Sequence, residues 1–233
     1  MQTAGSVGRR GTGGSWLWAV MGTLAVLGMT AGAPAFAEEG EEQPPITRVE
    51  EDWVLDIGAP DPNTDSPQII NVISYCGCIT GAHAVFELNH RTLPTYNAGG
   101  MQLQTWISEY LYDSRVYPRY EKLDTADEEI RYTLSMALPY SDWLRFEVKN
   151  GTSNTWGAFG GQGYLRSTMW APYAHLEHYD PALSAKNSRI AFAAHRVKKF
   201  ALKEVRYYAA DGSLIKTDQT ERVVHAHEAQ AAE

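Results

Sequence analysis

The chain has 233 residues, with 20 Lys and Arg against 28 Asp and Glu, for a net charge of −8. That mildly acidic balance argues against nucleic acid as a partner, since phosphate binding needs a cationic footprint, and against an anionic membrane surface. Two cysteines in such a length argue against a disulfide-stapled mini-fold.

The N-terminal stretch reads as an address rather than as fold. Arg9 and Arg10 supply a positive n-region, Trp16 to Met29 an apolar h-region, and Ala35-Phe36-Ala37 a small-residue cleavage site. The run is too short, and ends too soon in Gly and Pro, for a spanning helix. We therefore expect a secretory signal peptide over residues 1–37 and an exported protein (periplasmic, cell-surface or extracellular), with no membrane insertion once the signal is removed. Loss of the two arginines takes the net charge to −10, and five of the seven Trp and all thirteen Tyr remain.

Residues 38–48 are acidic and proline-bearing, which predicts a flexible linker. A single β-domain is expected over 49–216. Its first strand is Trp53-Val54-Leu55-Asp56-Ile57. In the turn-forming segment that follows, Asp61, Asn63 and Asp65 imitate the start of a calcium loop, but no Gly stands at the sixth position and Val72 occupies the twelfth, so a plain turn is the better reading. Ile69 to Tyr75 is a buried strand by its β-branched density. Cys76-Gly-Cys78 comes next, and three readings stay open: a bond closed within the pair or two inert thiols, pairing with another chain or a redox role, or a metal site with ligands from elsewhere.

Ala82 to Leu88 alternates as a strand, with Ala84, Phe86 and Leu88 against Val85 and Glu87. Met101 to Trp106 is the most informative strand. Met101, Leu103 and Thr105 form one face, and Gln102, Gln104 and Trp106 the other. Amides bond hydroxyls in both directions, and a flat aromatic covers the apolar side of a sugar ring; the competing reading is a plain polar strand surface. Ser108 to Asp127 lacks a clean period and reads as a long decorated loop carrying Arg115 and Tyr117, and such loops commonly bear function.

Glu129 to Leu138 resumes the alternation, and Pro139 to Asp142 turns into Trp143–Lys149, where Leu144, Phe146 and Val148 face one way and Arg145, Glu147 and Lys149 the other. Asn150-Gly151 is then expected to close a two-residue hairpin. Trp156 opens a glycine-rich bend (Gly157, Gly160, Gly161, Gly163) that leads to a strand through Trp170. No helix signal follows that bend, so the glycines favour close sheet contact over a phosphate loop. Ala171 to Lys186 is expected to hold a single helical turn and otherwise to cross between sheets, and His175 and His178 within it lack a metal-binding frame. Ser188–Ala194 and Val197–Tyr208 are strands, the second with a bulge near Lys203-Glu204. Asp211-Gly212 is a hairpin turn into Ser213–Lys216, and 217–233 is a polar, flexible tail, its His225 and His227 included. No metal site and no cofactor fingerprint is assigned.

These elements predict an all-β fold, an antiparallel β-sandwich of jelly-roll type with about eight to ten strands and little helix. The stretches AVFELNH (84–90), GGMQLQTW (99–106), FEVKNGTSNTWGAFGGQGYL (146–165) and LKEVRYY (202–208) resemble a set of uncharacterised exported proteins of planctomycete-type bacteria. At fold level the pattern is similar to concanavalin- or laminin-G-like jelly rolls, a likeness that implies glycan binding without assigning any residue.

Three functions follow as expectations. The first is a non-catalytic carbohydrate-binding module that uses Gln102, Gln104, Trp106, Arg115, Tyr117 and Trp156. The second is a structural or protein-interaction component of the envelope or extracellular matrix. The third is a glycoside hydrolase or lyase. It would draw on Glu87, Glu147 or Glu109, because hydrolysis needs two carboxyls about 5–5.5 Å apart for retention or about 6.5–9.5 Å for inversion.

Overall fold

Period-two alternation is realised as strands through most of the chain, and in the computed structural model the strands assemble into two antiparallel sheets packed as a sandwich. The structure describes residues 43–59, 66–76, 79–90, 99–117, 121–123, 127–161 and 163–227. The expected signal segment, most of the linker, the Asp61/Asn63/Asp65 turn, Cys78 and the end of the tail lie outside the described residues.

The larger sheet is organised on β1 (Arg48–Ile57), which pairs with β6 (Glu128–Tyr140) on one side and β11 (Val197–Tyr208) on the other. Next to β6 runs β7 (Trp143–Ser153), whose far edge carries both β8 (Gly157–Phe159) and β9 (Arg166–Trp170). The far edge of β11 is likewise shared by β12 (Leu214–Asp218) and β13 (Arg222–Ala226). The smaller sheet has the order β10 (Arg189–Phe192), β2 (Gln68–Ser74), β3 (Ala82–Leu88), β4 (Met101–Ile107), β5 (Tyr110–Val116). One α-helix is present among the described residues, α1 (Pro181–Asn187). Asp180 caps it by accepting the Ala182 N–H, and Pro181 begins its first turn.

The core lies between the sheets and takes alternate residues from each strand. Val49, Trp53, Leu55 and Ile57 of β1 and Leu144, Phe146 and Val148 of β7 face Ile69 and Ile73 of β2, Ala84, Phe86 and Leu88 of β3, and Met101 and Leu103 of β4. Each large side chain buried this way contributes roughly 1.5–3 kcal/mol. Phe86 of the smaller sheet meets Tyr132 of the larger edge to face, with centroids 5.1 Å apart. Asn89, fully buried, ties three segments at one end: its amide donates to the Pro67 carbonyl, and its side-chain oxygen accepts the Leu123 N–H.

Several expectations hold in detail. Lys203 is the extra residue of a bulge where β11 passes Asp52 and Trp53. Asp211-Gly212 closes the β11–β12 hairpin, with Gly212 at φ +87°, and Ser141-Asp142 closes β6–β7.

Four points differ. Asn150-Gly151 is not a hairpin turn but a bulge inside β7, with Asn150 at φ +56°; the turn comes later, at 154–156. Glycine is needed at 151 because a Cβ there would sit 2.3 Å from the Phe159 ring, and buried Glu128 holds the later turn by accepting from Ser153, Asn154 and Thr155. The 108–127 stretch is not all loop, since β5 occupies Tyr110–Val116. The polar tail supplies the end of β12 and all of β13, so the sheet extends past residue 216. Both misread strands lie at sheet edges, where no buried face imposes alternation. With them the described strands number thirteen rather than eight to ten. At the other end, Ile46 and Thr47 already belong to the fold: Ile46 accepts the Leu176 N–H and Thr47 donates to Tyr208.

Candidate functional site

Register on the outer face of the smaller sheet fixes which side chains stand together, because directly opposed residues of antiparallel strands share a face. One row across the sheet reads Arg189, Ile70, Glu87, Gln102, Val116. The next reads Val72, Val85, Gln104, Ser114, and the third Ser74, His83, Trp106, Leu111. These rows enclose an open cleft of about 280 Å³ with an apolar floor of Ile70, Val72 and Val85. Polar groups surround it: Glu87, Gln104, Arg189 and Asn187, with His83 and Trp106 at one end and Ile79 at the rim.

Each group has a distinct electrostatic state. The His83 and Trp106 rings run nearly parallel, 10° between planes and 6.4 Å between centroids. Burial holds the His83 pKa below its ordinary value, only partly offset by the hydrogen bond between Nδ1 and the Gly81 carbonyl at 3.1 Å. Burial also raises the Glu87 carboxyl, and the nearby Arg189 charge pulls it back in part. The Trp106 Nε1–H is shielded from solvent and has no hydrogen-bond partner among the described residues. Gln102 is engaged, donating to Ser114 Oγ at 2.6 Å. The cleft thus offers an indole, an imidazole, an amide, a carboxyl and a guanidinium around an apolar floor. A small amphipathic ring with hydroxyl edges fits that chemistry.

The six sequence-predicted ligand residues separate into two groups. Gln102, Gln104 and Trp106 share the outer face, as their alternation implies, and Gln104 and Trp106 line the cleft. The other three do not join them. Arg115 lies opposite Leu103, on the other face of the sheet, and binds Asp113 at 2.8 Å. Tyr117 is buried and packs on Tyr164. Trp156 is 1% exposed, stacks edge-on to Phe159 and donates its indole N–H to the Glu121 carbonyl. Both rings belong to the core cluster between the sheets, Tyr117 at the end of the β4–β5 ladder, where its N–H donates to the Met101 carbonyl, and Trp156 in the turn between β7 and β8.

His83, Glu87 and Arg189 complete the cleft. The first two carry a signal in the sequence, since they fall on the Val85 side of β3. Arg189 carries none, because its strand reaches this face only through the crossover that follows β9.

The carboxylates considered for hydrolysis do not meet. Glu87 is on the outer face of the smaller sheet. Glu147 is on the outer face of the larger one, bound to Arg166 at 2.6 Å. Sheets in a sandwich are about 10 Å apart, so the whole core separates the two. Glu109 is exposed in the β4–β5 turn. Glu87 is the single carboxylate lining the cleft among the described residues.

Elsewhere, Tyr75 stacks on Tyr173 at 3.6 Å, with His178 edge-on at 5.8 Å, and His175 pairs with Glu177 at 3.4 Å. Among the described residues no group of three or more His, Cys, Asp or Glu could hold a metal ion. Cys76 is disulfide-bonded. Neither the family models nor the curated proteins compared with the chain match it.

Proposed function

We propose that the chain is a carbohydrate-binding module that takes a glycan in the cleft on the outer face of the smaller sheet. The observation that carries this reading is the co-facial set Gln104, Trp106, His83, Glu87 and Arg189 around an apolar floor. Trp106 offers a ring face to the apolar side of a sugar. Gln104 donates and accepts across the middle of the cleft, and Glu87 and Arg189 bind hydroxyls at its far end. The signal-like N-terminus supports an exported location.

The test is binding of the chain to a polysaccharide panel, with Trp106→Ala as control. A saturable hit that Trp106→Ala abolishes without a matching loss of melting temperature supports the module. Silence across the panel, or loss explained by unfolding, overturns it. The second reading, a protein-interaction component of the envelope or matrix, draws on the exposed apolar residues Tyr110, Leu111 and Tyr112 at the sheet edge. A hydrolase draws least support, with one carboxylate in the cleft where two are needed.

A further inference from the structure

The edge strand β5 is the most apolar exposed segment described. Tyr110 is 80% exposed, Leu111 49%, Tyr112 47% and Val116 36%. An open edge with that dressing is a template for another strand. Its backbone is held ready in an informative way. The Ser114 N–H does not bond to β4 but donates to its own neighbour, Asp113 Oδ1, at 2.8 Å. Asp113 Oδ2 accepts from Arg115 Nε at 2.8 Å and from Ser167 Oγ at 2.9 Å. Arg115 is half-exposed and uses only Nε in that pair, which leaves its two terminal nitrogens available among the described residues.

The geometry points to a second copy of this chain as the occupant of the edge, paired antiparallel through β5 about a two-fold axis at Ser114. The argument is self-complementarity. In that register Asp113 stands opposite Arg115 of the other copy, Arg115 opposite its Asp113, and Tyr112 opposite its Val116. Both charge pairs are then attractive, and Tyr112 and Val116 cover one another across the axis. The Ser114 N–H exchanges the Asp113 carboxylate for the carbonyl of the facing Ser114. Asp113 Oδ1 is released by that exchange and can receive the Arg115 terminal nitrogens from across the axis. A register shifted by one residue loses this match, so the pairing is specific and not only sticky.

Pairing of this kind continues the smaller sheet across the axis and keeps both outer faces on one side. Two clefts would then face the same way and could engage one polymer with avidity. The dimer itself does not depend on what the clefts bind.

Sedimentation equilibrium of the full chain tests it. A concentration-dependent dimer is expected. Arg115→Glu, at an exposed position, should raise its dissociation constant about tenfold or more, since like charges would then face each other. The exchanged pair Asp113→Arg with Arg115→Asp should restore association. Tyr112→Lys should weaken the dimer with the Asp113–Arg115 pair intact, which guards against a fold defect from the charge changes. A monomer at every concentration overturns the proposal, as does a dimer indifferent to both Arg115→Glu and Tyr112→Lys.

Discussion

The two outer faces of the sandwich carry hollows of almost equal size, about 280 Å³ on the smaller sheet and about 310 Å³ on the larger, and they treat their polar groups in opposite ways. The larger sheet's hollow is lined by Asp52, Arg131, Thr133, Asn150, Lys203 and Arg206, and its charges are matched. Arg206 donates to both Asp52 oxygens, to Glu204 and to Glu50. Lys149 holds Glu50 at 2.5 Å, Thr133 holds Asp52 at 2.7 Å, Lys203 binds Glu221 and Arg131 binds Glu129. The smaller sheet's hollow instead keeps an indole N–H with no partner among the described residues, a carboxyl raised by burial and a histidine whose charge burial disfavours. Equal volume therefore does not mean equal purpose. Matched charges leave little to offer a ligand, whereas uncompensated polar groups beside an apolar floor gain by acquiring one.

The largest expected effect contrasts two neighbours on β1. Glu50 points outward and Glu51 inward. Burial would raise Glu50, but the Lys149 hydrogen bond and charge, with Arg48 and Arg206, outweigh it and leave its pKa lowered. For Glu51, burial dominates the donors Tyr179 and Trp53 and pushes the carboxyl up to about 7. A folded value above the unfolded one favours the fold fully below about pH 4.5, and that advantage is lost as pH rises through about 7. The move corresponds to roughly 3 kcal/mol. Urea denaturation between pH 5 and pH 8 should show wild-type stability falling by up to that amount, with Glu51→Gln flattening the slope. An unchanged slope in Glu51→Gln would refute the assignment.

Next in size, Arg206→Ala should cost about 2 kcal/mol, between the limits for exposed and buried pairs, because it takes the cation from Asp52 and one of three cations from the mostly buried Glu50. It should leave glycan binding untouched. An effect on binding would break the contrast between the faces. Trp106→Ala differs in its effect on binding, lowering glycan affinity about tenfold or more, and should also lower stability by roughly 1–2 kcal/mol, since the side chain is half-buried. Smallest is Gln104→Ala, expected to weaken binding about fivefold for one lost hydrogen bond of ~1 kcal/mol, with a melting temperature near wild type. Isothermal titration beside thermal melts separates these cases.

Much of this contrast is legible in the residue order. Alternation alone places Gln102, Gln104 and Trp106 on one face of β4, and the same rule applied to β3 adds His83 and Glu87. Alternation fails where burial does not enforce it. β5 and β13 are edge strands with mixed exposure, so Tyr110–Val116 and Arg222–Ala226 pass for loop and tail. Asn150-Gly151 shows a different failure. The dipeptide does take positive φ, as its chemistry demands, but a bulge satisfies that demand as well as a turn, and the packing of Phe159 on Gly151 chooses the bulge.

The sequence by itself determined the all-β character, the inward set of each long strand, the bulge at Lys203 and the co-facial amides and indole of β4, because these follow from a side-chain period of two and local turn chemistry. The tertiary structure alone decided which faces meet. It buried Trp156 and Tyr117, set Arg115 on the far side of its sheet, divided Glu87 from Glu147 by the whole core, and brought Arg189 across from a distant strand to finish the cleft. Such partners are chosen by sheet order and register, and those depend on contacts between residues far apart in the chain, for which a local pattern holds no information.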